Sequence, residues 1–133
     1  MSSSVRRAVL AAALTTAAAL PASALAHQTV VDARGVAVTM HVLPGDEPQA
    51  GQPATIVIVA VKPPKGTFTF GRCGCRIKVT TASGRVLLNR ATGKRTSFVF
   101  PDAAAYEITY SGSYRAKGGK SRRFTTTFAL RAN

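Results

Sequence analysis

The sequence predicts an all-β protein: a single antiparallel sandwich of seven or eight strands behind an export signal. Three observations carry that expectation. Apolar residues recur at every second position through most of the chain, with no run at helical spacing. Turn clusters rich in Gly, Pro, Ser and Asp break this alternation at intervals of about ten residues. The opening segment differs from everything after it, being basic and then uncharged and alanine-rich.

That segment reads "MSSSVRR" followed by "AVLAAALTTAAALPASALA", without a charge from Ala8 to Ala26. A basic start, an apolar stretch and an A-x-A site with Ala24 at −3 and Ala26 at −1 make residues 1–26 a secretory signal peptide and residues 27–133 the working domain. The stretch is too weakly hydrophobic for an anchor helix, which needs ~20 strongly apolar residues. No cysteine follows it to accept a lipid, and no second apolar run of that length occurs downstream. The mature protein is therefore expected outside the cytoplasmic membrane, secreted or at the cell envelope, with no transmembrane segment. Its size suits one domain burying roughly two-thirds of its unfolded surface.

The strands follow in order. In "GVAVTMHVLP", Val36, Val38, Met40 and Val42 share one face, and Ala37, Thr39, His41 and Leu43 the other. "PGDEPQAGQP" is a long turn, and "ATIVIVAVKP" is the β-branched run of a strand covered on both sides or central in a sandwich. "TFTF" is a short strand after "PPKG". In "CRIKVTT", Cys75, Ile77 and Val79 point one way and Arg76, Lys78 and Thr80 the other. "ASGR" predicts a hairpin into "RVLLNRA" and "TGKR" a second into "TSFVF". "AYEITYSGSYR" and "RRFTTTFALRA" pair across "AKGGKS".

The segment "FPDAAAYEITYSG" fits D-x-[GA]-x-Y through Asp102, Ala104 and Tyr106. It resembles the tyrosine corner of immunoglobulin-like domains, in which the tyrosine hydroxyl returns to upstream backbone. The resemblance is to secreted bacterial immunoglobulin-like sandwiches and covers residues 35–131 in pattern. Ile108 stands where those domains carry a cysteine, and the chain has no tryptophan. Such a likeness implies a fold and no activity.

Charge is distributed unevenly. From His27 to Val61 one basic residue, Arg34, faces three acidic ones, whereas from Lys62 onward fifteen basic residues face Asp102 and Glu107 alone. Arg76 and Lys78 alternate outward on one strand, and "RAKGGKSRR" gathers Arg115, Lys117, Lys120, Arg122 and Arg123 around a hairpin. A site for polyanions follows by counterion release, with an anionic envelope polymer or an envelope protein as partner and no specific nucleic acid.

Catalysis is not expected. Five carboxylates and two histidines provide no nucleophile–base series and no phosphate loop. Asp46 and Glu47, between Gly45 and Pro48, read as turn residues that solvate a loop. Cys73 and Cys75, in "GRCGCRIKV", are the only cysteines. On a regular strand their Cα atoms would lie ~6.5 Å apart, near the limit for a bridge, and Gly74 allows the kink that closes it. The alternatives are a thiolate pair for a soft metal, or buried or intermolecular thiols.

Cleavage after Ala26 would make His27 the first residue, offering an α-amine and a ring nitrogen to one ion, with His41 as the one available imidazole partner. The two approach if residues 27–31 fold back beside the strand starting at Gly35, and three nitrogens favour Cu(II). The "AH" start, the size and the strand pattern are similar to those of the copper-handling periplasmic sandwiches related to CopC and to YtkA-like domains. Met40, Cys73 and Cys75 would suit Cu(I), although alternation turns Met40 away from His41. The sequence thus predicts a monomeric, non-catalytic binding module with a basic face and no cofactor, or alternatively a copper-binding protein built on His27.

Overall fold

A computed structural model describes residues 27–133; the expected signal peptide, residues 1–26, lies outside the described residues. The chain forms β1 (Gln28–Val31), β2 (Ala37–Leu43), β3 (Pro53–Lys62), β4 (Gly66–Thr67), a 3₁₀ turn (Phe70–Arg72), β5 (Arg76–Thr81), β6 (Val86–Ala91), β7 (Arg95–Val99), β8 (Ala105–Ala116) and β9 (Ser121–Arg131). All pairings are antiparallel and fall into two sheets. Sheet A runs β1-β2-β3-β7. In sheet B, β8 carries β9 along one edge and β5 and then β4 along the other, with β6 outside β5. No helix among the described residues is long and apolar enough to cross a membrane.

Alternation builds the core as expected. Val36, Val38, Met40 and Val42 are fully buried against Ile77, Val79, Ile108, Tyr110 and Phe128 of sheet B. At ~1.5–3 kcal/mol per buried large side chain, this facing set outweighs any single polar interaction in the fold. The β3 run is central in its sheet, with Ile56 and Ile58 inward; on its outer face Val57 is buried as well, while Val59, left unpaired where the β2 register slips, is exposed. The tyrosine corner forms. The Tyr106 hydroxyl donates to Asp102 O at 2.8 Å and accepts from Asp102 N at 2.9 Å.

Three details differ from expectation. Among the described residues there are nine strands, because β1 pairs with β2 and adds one. Of "TFTF" only Thr67 is strand, paired together with Gly66, at which an added Cβ would collide with the carbonyl oxygen of Arg115. Phe68 then turns in against Phe70 and Phe124. "TGKR" is no hairpin, for it carries the chain from β6 in sheet B to β7, which pairs with β3 in sheet A. The same turn residues serve a hairpin or a corner between sheets, and the free edge of β3 decides in favour of the corner.

Candidate metal centre

The β1–β2 register brings the two histidines together. Gln28 pairs with Met40 and Thr29 with Thr39, so one further step places His27 opposite His41. On an antiparallel pair the side chains of directly opposed residues lie on the same face within contact distance. The ring centroids are 3.8 Å apart with planes tilted by 40°. Both rings stand on the outer face of sheet A, since the intervening inward position, Met40, is fully buried. Met40 is thereby removed from the ligand set.

Several bonds hold β1 in this register. Thr29 and Thr39 hydroxyls meet at 2.8 Å, and the Gln28 amide donates to Ala129 O on β9. Asp32 closes the turn that follows: its Oδ1 accepts from Arg34 N and Val36 N, and its Oδ2 accepts from Thr125 N across the sandwich edge at 3.2 Å.

The third member comes from the turn after β2. Asp46 N donates to Val42 O at 2.9 Å and Val42 N donates back to Asp46 Oδ1 at 3.0 Å, closing the chain on itself. Asp46 takes φ +59, a left-handed conformation that aspartate tolerates better than most side chains. Its carboxylate consequently reaches His41 Nδ1, at 3.1 Å from Oδ2 and 3.2 Å from Oδ1. With His41 in its Nδ1–H tautomer, this carboxylate accepts from the ring and leaves the Nε2 lone pair for an ion, the arrangement that orients metal-binding imidazoles. One ligand atom from each of His27, His41 and Asp46 lies within 4.8 Å of the others. The group is open to solvent on the His27 side, with His41 and Asp46 half-buried.

Asp46 is the member that sequence reasoning assigned to loop solvation. An aspartate five residues after a strand histidine, across "LPG", is the only trace it leaves, and that trace becomes informative only with the turn's backbone angles.

The cysteines lie elsewhere. Cys73 and Cys75 are joined by a disulfide, with Cα atoms 5.0 Å apart, and both are buried in the core. As bridged sulfurs they present no thiolate. A Cβ on Gly112 would stand 2.6 Å from the Cys75 sulfur, so β8 passes directly over the bridge.

The basic residues separate into groups. Arg76, Lys78 and Arg123 line one groove on the outer face of sheet B, and Arg115 lines a second depression beside it together with Arg72, which the charge pattern had not singled out. Lys117 and Lys120 occupy the β8–β9 turn, and Arg122 pairs with the inward-facing Tyr114, which turns it away from the groove. Comparison with known proteins finds no matching family model, no similar curated protein and no similar solved structure.

Proposed function

We propose that this protein is a secreted, non-catalytic metal-binding module that holds Cu(II) through His27 and His41, with Asp46 as orienting carboxylate or third ligand. The observation that carries the proposal is the convergence of these three side chains, two from paired strands and one from a turn folded back onto the second. Two imidazoles and a carboxylate form a nitrogen–oxygen donor set, and for such a set Cu(II) stands highest among the divalent first-row ions. Cleavage after Ala26 adds the α-amine of His27, whose five-atom reach to its own ring nitrogen completes a chelate. The open His27 side leaves coordination positions for water or for a second protein receiving the ion.

The test is native mass spectrometry with copper titration of the protein beginning at His27. One bound copper is expected, lost on His27→Ala and on His41→Ala. Asp46→Asn should weaken binding by about 10–100-fold, the usual effect of removing an orienting carboxylate. One extra residue ahead of His27 should weaken binding as well if the amine is a ligand. A protein that stays metal-free in excess copper would overturn the proposal.

A further inference from the structure

The outer face of sheet B, remote from the metal centre, carries a second kind of site. Arg76 and Lys78 of β5 and Arg123 of β9 flank β8, where Thr109 and Ser111 provide hydroxyls between them in a groove of about 290 Å³. Farther along β8, Arg72 and Arg115 line a depression of about 180 Å³ with Thr67, Thr69, Ser113 and Ser121. The two share the β8 strand. Their centres, near Ser111 and Arg115, are four residues or about 14 Å apart at ~3.4 Å per residue.

These cations are not neutralised within the fold. Among the described residues no Lys or Arg side chain is paired with a carboxylate, so Arg72, Arg76, Lys78, Arg115 and Arg123 have none within bonding distance. Two of the five make neutral contacts, Arg76 to Asn89 Oδ1 and Arg115 to Gly119 O. Glu107 stands on the same face beyond Thr109, and Asp32 approaches at Thr125, where its oxygens are already occupied by three backbone N–H groups.

We infer that this face binds a linear polymer of phosphate groups lying along β8. A guanidinium fork matches phosphate oxygens two at a time, and the surrounding hydroxyls supply further donors. Two forks and four hydroxyls in one depression exceed what the two oxygens of a carboxylate can accept. A phosphate chain uses them and spans both depressions, which a single anion cannot.

The experiment is calorimetric titration of the metal-free protein with long-chain inorganic polyphosphate, orthophosphate and heparin, at two salt concentrations. Polyphosphate should bind and weaken steeply with salt. Arg72→Gln/Arg115→Gln/Arg123→Gln should reduce its affinity by about tenfold or more. Lys62→Gln/Arg85→Gln/Lys94→Gln removes the same charge away from this face and should cost less than about threefold. Equal losses in the two triple variants would reduce the effect to net charge and overturn the inference. Orthophosphate binding as tightly as the polymer, or heparin as tightly as polyphosphate, would overturn the phosphate-chain assignment. Copper binding, measured separately on the same variants, leaves the two sites distinguishable.

Discussion

Tyr110 sits at the middle of β8 with no exposed surface, its ring 6.0 Å from that of Phe124 and its hydroxyl donating to Gly93 O at 3.3 Å. Burial disfavours the phenolate and pushes its pKa up to about 12. In the unfolded chain the phenol ionises near its ordinary value of about 10. Below pH 10 both states hold the proton and stability is unaffected. Between pH 10 and 12 the unfolded chain releases it while the folded one does not, so the folded state loses stability as pH rises through that window. Urea unfolding midpoints at pH 9, 10, 11 and 12 should therefore fall more steeply for the wild type than for Tyr110→Phe, whose offset at pH 9 reports only the lost Gly93 bond. Parallel declines would mean that Tyr110 is not the group responsible. Tyr106 is similarly buried but spends its hydroxyl on both backbone groups of Asp102, a local corner with no reach into the core.

At the scale of elements, β1 is the weak partner on which the metal centre depends. It has four residues, pairs only with β2, and is tied to sheet B by Gln28 and through Asp32. Asp32→Ala removes an acceptor from three N–H groups at once and should destabilise the fold by about 1–3 kcal/mol. It should also free β1 to fray and lower Cu(II) affinity by about tenfold, because His27 must then be ordered as the ion binds. Amide exchange across β1, read beside copper titration, checks both outcomes; faster exchange with unchanged affinity would show that β1 does not set the site. Sequence reasoning reached the approach of His27 to His41 only as the consequence of residues 27–31 folding back beside the strand from Gly35, and the β1–β2 register is what brings the rings together. Asp46 was not legible, since its reach depends on a left-handed residue in a proline–glycine turn. Nor was the crossing at "TGKR", where local turn chemistry is identical for either outcome and the choice belongs to a distant strand edge. Arg72 was not legible for a related reason: it reaches the depression beside Arg115 only through the 3₁₀ turn next to the disulfide.

For the whole molecule, the two outer faces differ in emphasis. Sheet A exposes Val31, Leu43, Val59 and Val99, with Arg95 on β7 two strands from His41, while sheet B exposes Val86 together with the cations and hydroxyls that line its two depressions. Sandwiched sheets pack ~10 Å apart, and with side chains the metal centre and the basic groove are separated by about 20 Å. Between a doubly charged ion and three groove cations at that distance, water-like screening leaves a repulsion of about 0.6 kcal/mol at 0.01 M salt, where the Debye length is about 30 Å. At 0.15 M the Debye length is about 8 Å and the repulsion falls to ~0.1 kcal/mol. Arg76→Gln/Lys78→Gln/Arg123→Gln should therefore tighten Cu(II) binding about threefold at the low salt concentration and leave it unchanged at the higher one. Calorimetric titration of copper into the variant and the wild type at both concentrations measures this directly. A difference that persisted at 0.15 M would require a mechanical link through the core, with β8 and β9 transmitting a shift to β1 through the Asp32–Thr125 contact. A difference absent at both would place the ion farther from the groove than His27 and His41 allow.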